Sequence, residues 1–200
     1  MKKLGMVVLL LLATLAIADE LGSGAKAPGF SLVNATDGET VTMKPDDGKL
    51  KVVVFTCNQC PYAKAFEPRL MEIANRYGHK GVHFYAVNPN DESQFAEESL
   101  ANMKARATEQ DYPFPYLKDA GSKVARAYGA RVTPHVFLVD GDGTIRYRGY
   151  VDDSAKPAER KTTGLTNALN ALTEGREVAL TETRAFGCAI KWVPSGTTGS

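Results

Sequence analysis

The chain has 200 residues, 44% hydrophobic and 24% charged, enough for one hydrophobic core of ordinary size. Its 24 Lys and Arg balance 23 Asp and Glu, so it lacks the broad basic surface that neutralises a phosphate backbone, which argues against nucleic acid as a partner. Three Cys are too few to staple a miniature scaffold, so the fold must stand on burial.

The N-terminus reads as an address. Lys2 and Lys3 precede an apolar run over residues 6–17, and Ala16-Ile17-Ala18 gives a small-x-small pattern before Asp19, which together predict a secretory signal cleaved after Ala18. The apolar run is shorter than the roughly 20 residues that span a bilayer. Cleavage would leave 200 − 18 = 182 residues and move the formal net charge from +1 to −1. An exported protein, periplasmic or extracellular, meets conditions in which disulfides form and persist, and this makes its cysteines the first place to look for chemistry.

Along the chain, residues 19–29 read as a flexible lead-in, 30–193 as one domain, and 194–200 as a disordered tail. Two short strands over 31–33 and 40–43 flank the turn residues Asp37-Gly38. The run KVVVFT at 51–56 is β-branched and almost wholly apolar, as expected of a central strand covered on both faces. After Cys57-Asn58-Gln59-Cys60-Pro61, Ala63, Phe66, Leu70, Ile73 and Tyr77 recur at helical spacing; Pro61 suits the first turn and Pro68 should bend the helix. A second buried strand is predicted at 82–87 and a surface helix from about 93 or 97 to 110. A short extended insertion follows at 113–117, then a brief helix at 122–128 closed by Gly129. Thr133-Pro134 leads into a strand at 136–139, the turn Asp140-Gly141-Asp142-Gly143 reverses it into 144–150, and Leu165, Leu169 and Leu172 mark a last helix over 162–173.

Cys57 and Cys60 thus sit where a buried strand passes into a helix. Two intervening residues on the first turn let the sulfurs approach bonding distance, and the unpaired N–H groups and dipole of the helix start stabilise a thiolate there. A free Cys has a pKa of about 8.5, and such positions lower it to roughly 3.5–7.5. The expected roles are Cys57 as the exposed, attacking sulfur and Cys60 as the core-facing resolving thiol. Other readings of the pair are weaker. A purely structural disulfide across so small a loop gains little. Zinc would need two further ligands, and His79, His83 and His135 are scattered. A copper carrier is the strongest non-enzymatic alternative, with Cys57, Cys60 and His135 as a soft ligand set.

The order of elements, the C-x-x-C at the strand-to-helix junction and Thr133-Pro134 before a strand and hairpin resemble the thioredoxin-like superfamily over roughly residues 30–173. The stretches Ala27-Pro28-Gly29-Phe30-Ser31-Leu32, Pro113-Phe114-Pro115-Tyr116-Leu117, Val124-Ala125-Arg126-Ala127-Tyr128-Gly129-Ala130 and Phe137-Leu138-Val139-Asp140 resemble its peroxiredoxin-like branch, that of alkyl hydroperoxide reductase and thiol-specific antioxidant redoxins of exported bacterial type. The resemblance implies an α/β fold, a central mixed sheet flanked by helices, with an N-terminal strand extension. It implies a cis peptide before Pro134, and Thr133 with Pro134 as the edge that pairs with an extended substrate. It also implies thiol–disulfide oxidoreductase activity without a cofactor, on protein thiols and disulfides, a small thiol or a peroxide, with a membrane electron donor if the protein works as a reductant.

The sequence departs from thioredoxin in having Thr56 before the pair and Asn58-Gln59 within it, and the P-x-x-x-T-x-x-C run of true peroxiredoxins is absent. Thiol peroxidase activity is therefore the alternative, with Cys188 as candidate resolving thiol and Arg146 or Arg148 as peroxide-polarising groups. The other reading of Cys188 is a small hydrophobe packed with Ile190 and Trp192.

Overall fold

The structure is a computed structural model and describes residues 21–194. The signal segment 1–18 and residues 195–200 of the expected tail lie outside the described residues.

In chain order the elements are strands β1 (Phe30–Asn34), β2 (Thr40–Met43) and β3 (Lys51–Phe55), helix α1 (Pro61–Gly78), β4 (His83–Asn88), α2 (Leu100–Glu109), β5 (Tyr116–Lys118) and α3 (Lys123–Tyr128). Then come β6 (Val132–Thr133), β7 (His135–Val139), β8 (Ile145–Gly149), α4 (Gly164–Thr173) and β9 (Cys188–Ala189). Seven strands form one mixed sheet in the order β2-β1-β5-β4-β3-β7-β8, and β6 pairs with β9 in a separate ribbon. β3 lies parallel to β4 and antiparallel to β7, and all five of its residues are buried, as its unbroken apolar run requires.

Alternation along β3 divides the core. Val52 and Val54 face a cluster built from Phe66, Leu70, Ile73 and Tyr77 of α1, Met103 of α2, and Leu165 and Leu169 of α4. Val53 and Phe55 face the opposite cluster, with Phe137, Val139, and Ala125 and Tyr128 of α3. Burying one such side chain contributes about 1.5–3 kcal/mol, so the two clusters dominate the stabilising terms. The one charge in β3, Lys51, is accommodated because its ammonium donates to the carbonyls of Pro45 (2.9 Å) and Lys49 (2.8 Å) and pairs with Asp47. Arg69 of α1 reaches Asp152, just beyond β8, through a buried ion pair that ties the helix to the far edge of the sheet.

Three local features differ from the sequence expectations. The lead-in is docked: Gly24 N–H donates to the Ile145 carbonyl (2.8 Å), Ile145 N–H to Ala25 (2.9 Å) and Ala27 N–H to Gly143 (2.9 Å), and the Ala27 side chain is buried. The segment is held because it supplies bonds to the outer edge of β8. The surface helix starts later, at Leu100 after the N-cap Ser99, and one 3₁₀ turn, Ala96–Glu98, precedes it. The 113–117 insertion contributes β5, an internal strand parallel to β4 and antiparallel to β1, which is what attaches the β1–β2 hairpin to the rest of the sheet.

Candidate active site

Past Phe55 the chain leaves the sheet, Thr56 N–H donating to the Val87 carbonyl (2.9 Å), and turns into α1. Cys60 is the N-cap of that helix, with extended backbone (φ −63°, ψ 120°) and Pro61 following in the first turn. The Cys60 sulfur accepts the Ala63 N–H at 3.4 Å, satisfying a donor that the helix itself leaves open. Thr133 lies opposite, at the end of β6, and the Thr133–Pro134 peptide is cis. Its hydroxyl is 3.2 Å from the Cys57 sulfur, and its carbonyl accepts the Cys60 S–H at 3.1 Å.

A buried acid holds the loop between the sulfurs. Glu98, only 1% exposed, accepts the N–H groups of Asn58 (2.9 Å) and Gln59 (3.2 Å), and also the side-chain amides of Asn88 (2.8 Å) and Asn90 (3.3 Å). Asn58 completes the scaffold, donating to the Glu97 carbonyl (2.7 Å) and accepting the Tyr116 hydroxyl (3.0 Å). Sequence reasoning missed Glu98, because a single Glu in a polar stretch carries no periodic signal and its burial arises only from tertiary contact. Glu98→Gln should destabilise the fold by about 1–3 kcal/mol, since the two donors on one carboxylate oxygen would meet an NH2 group that cannot accept them. It should also shift the first ionisation of the cysteine pair to lower pH, because the carboxylate opposes a thiolate at Cys57. Urea unfolding and thiolate absorbance against pH check the two parts.

Cys57 and Cys60 hydrogen-bond to each other, which pulls one ionisation of the pair far below that of a lone thiol and pushes the other far above it; burial adds to the upward push. The hydrogen-bond pattern decides where the first charge sits. A thiolate on Cys60 would face the Thr133 carbonyl oxygen at 3.1 Å, a repulsive contact, whereas one on Cys57 faces the Thr133 hydroxyl, which can donate. Charge on Cys57 with the remaining proton on Cys60 satisfies every partner, although burial and Glu98 both weigh against it.

The expected exposure of Cys57 is not found: both Cys57 and Cys60 are 4% exposed, because the C-terminal segment covers them. Cys188 packs on Cys57, Cys60 and Ala63, while Ile190 and Trp192 belong to the cluster on the other face of the sheet. The expected substrate edge is filled as well. Thr133 is paired antiparallel with Cys188, and Val132 with Ala189, so the chain's own β9 lies where an extended guest would add.

His135 alternates onto the Phe137 face of β7, opposite α1, and stacks on Phe137 at 4.5 Å, so it does not join the sulfurs. Among the described residues no group of three His, Cys, Asp or Glu side chains converges to hold a metal, and the copper set Cys57, Cys60 and His135 is not assembled. The Arg146 guanidinium bonds Asp140 (2.5 Å) and that of Arg148 bonds Glu182 (2.9 Å).

Residues 23–148 match the family model of the AhpC/TSA family. A conserved protein of Geobacillus kaustophilus superposes with a TM-score of 0.81 and 42% identity, covering 86% of this chain and 93% of that one. The thioredoxin domain of a thiol-disulfide oxidoreductase from Bacteroides vulgatus superposes at 0.53 with 23% identity, over 63% of this chain and 86% of that one, a likeness of fold. Thiol-disulfide oxidoreductase ResA of Bacillus cereus is 27% identical over 127 residues, 64% of this chain and 69% of that protein. With the family match spanning well over half its length and a mixed sheet flanked by helices, the chain belongs to the AhpC/TSA family and has the thioredoxin-like fold.

Proposed function

We propose that the protein is an exported thiol–disulfide oxidoreductase whose working couple is Cys57 and Cys60. The observation that carries this reading is a single residue, Thr133, bonded through its hydroxyl to one sulfur and through its carbonyl to the other at the start of α1. The likeness to the thiol-disulfide oxidoreductase ResA of Bacillus cereus supports the reaction class. Export rests on the signal-like residues 1–18.

In the reducing direction the Cys57 thiolate attacks a substrate disulfide. A mixed disulfide forms and one substrate thiolate leaves. Cys60 then gives up its proton and attacks the Cys57 sulfur, closing Cys57–Cys60 and releasing the second substrate thiol. The couple loses two electrons and the substrate disulfide gains them. The same steps run backwards for oxidation, and the direction follows from the potentials of the couple and of its partner. As a reductant outside the cytoplasm the protein draws its electrons from a membrane donor. Glu98 and Asn58 hold the loop so that neither sulfur has to search for the other.

Reduced chain carrying Cys60→Ser and Cys188→Ser should retain half of a chromogenic small disulfide on Cys57, whereas the unsubstituted chain releases both halves. Exchange that survives Cys57→Ser at the original rate, or no adduct on Cys57, overturns the assignment. Hydroperoxide is a second substrate reading, favoured by the third thiol beside the couple. Peroxide consumption lost in Cys188→Ser would support it, and inertness toward peroxide removes it.

A further inference from the structure

Resting on that assignment of the couple, we propose that Cys188 is a third redox thiol. The strand bearing it acts as an internal substrate, so that the disulfide passes from Cys57–Cys60 to Cys60–Cys188.

Three independent features place β9 in the guest position. Its backbone pairs with β6 in the register Thr133↔Cys188 and Val132↔Ala189, and Ile190 N–H extends the ribbon to the Arg131 carbonyl (3.0 Å). Gly187 rests directly on the Thr133–Pro134 peptide: a Cβ there would come within 2.7 Å of the Thr133 carbonyl carbon and 3.2 Å of the Pro134 nitrogen, so only glycine permits this approach. Phe186 anchors the segment on α1, its ring edge-on to Tyr62 (5.9 Å) and Phe66 (5.7 Å). The side chain that follows this anchor and this glycine is a thiol, and it packs against the cluster of Cys57, Cys60 and Ala63. Cys188 is only partly buried and its ribbon is two residues long, so the contact can be made and released without unfolding the domain.

The step balances within the chain. With Cys57–Cys60 closed, the Cys188 thiol gives its proton to solvent and attacks the Cys60 sulfur. The Cys60–Cys188 bond forms as Cys57–Cys60 breaks, and the departing electron pair stays on Cys57, where the Thr133 hydroxyl can donate to it. No electrons enter or leave. The oxidised protein thereby regains a nucleophile at Cys57, and its substrate edge becomes covalently closed. Burial pushes the Cys188 thiol up, so the migration should quicken about tenfold per pH unit below its ionisation.

The test is full-length protein oxidised with glutathione disulfide, quenched in acid, alkylated and mapped by mass spectrometry. In Cys57→Ser, both remaining thiols should disappear and the Cys60 and Cys188 peptides should be found cross-linked. In the unsubstituted oxidised chain, Cys57 should take up alkylating agent, and in oxidised Cys188→Ser it should not. A Cys57→Ser chain that stops at a glutathione adduct with Cys188 free, or no Cys57 alkylation in the oxidised unsubstituted chain, overturns the proposal. Cys188→Ser reports on the couple separately. If it closes Cys57–Cys60 while Cys57→Ser does not cross-link, the internal-substrate inference alone fails. If Cys188→Ser cannot close, the assignment of the couple fails.

Discussion

At pH 6 the reduced protein is expected to carry one thiolate's absorbance, lost as the pH falls through about 4, and Cys57→Ser should abolish it and slow exchange with a small disulfide at least about threefold. The lower of the pair's two ionisations lies at about 4, whereas the variant keeps Cys60, without its partner's proton to share, and Cys188, held up at about 11. A lone thiol with a pKa of about 8.5 is ionised at pH 6 to roughly one part in 300. Its more basic thiolate is intrinsically the better nucleophile, by roughly a hundredfold over that interval at a Brønsted slope of about 0.45, which leaves about threefold. The sign follows from the depressed ionisation: reactivity is present above the folded-state value and disappears below it. Cys60→Ser should lose the same absorbance, because each sulfur lowers the other's first ionisation by sharing a proton. Retention of the thiolate band at pH 6 in both single variants would remove the shared proton from the account.

Asp152→Ala is expected to destabilise the fold by about 3–5 kcal/mol, because it strands the buried Arg69 cation. Arg69 Nη1 donates to both Asp152 oxygens (2.7 and 2.5 Å) and to the Ser154 carbonyl (2.9 Å), and Nη2 to the carbonyls of Ala155 (3.2 Å) and Ala65 (3.3 Å). The two side chains are 10% and 3% exposed, so little water would take the place of the carboxylate. Arg69→Met in the Asp152→Ala background should recover part of the loss, since the uncompensated charge is gone and a thioether can take the guanidinium's place over the Phe66 ring. Denaturant unfolding measures both. A loss under about 1 kcal/mol in Asp152→Ala would show the ion pair to be inconsequential.

Much of the fold was legible because its central parts carry local signals that agree with the global structure. The apolar run of β3, the helical spacing from Ala63 to Tyr77, and the Asp-Gly turns each encode one element. The juxtaposition of Cys57, Cys60 and Thr133-Pro134 followed once the order of elements suggested the fold. What escaped depends on contacts between segments far apart in the chain. The lead-in looks mobile by composition, and contacts with the open edge of β8 and with Tyr128 of α3 order it. β5 follows two prolines and is three residues long, too short for any periodicity to register. β9 is shorter still, and its partner strand is defined by the cis peptide beside it. The covering of Cys57 therefore had no sequence signature, and neither did the burial of Glu98 behind the redox loop.

Whether Cys57 and Cys60 form a reversible couple is decided by equilibrating Cys188→Ser in thiol–disulfide buffers of graded potential and quantifying the Cys57–Cys60 bond after acid quench. One reversible two-electron transition is expected, moving about 30 mV for each tenfold change in the ratio of disulfide to dithiol. Two cysteines that stay reduced across the range of the buffers, or that oxidise only irreversibly, would contradict it.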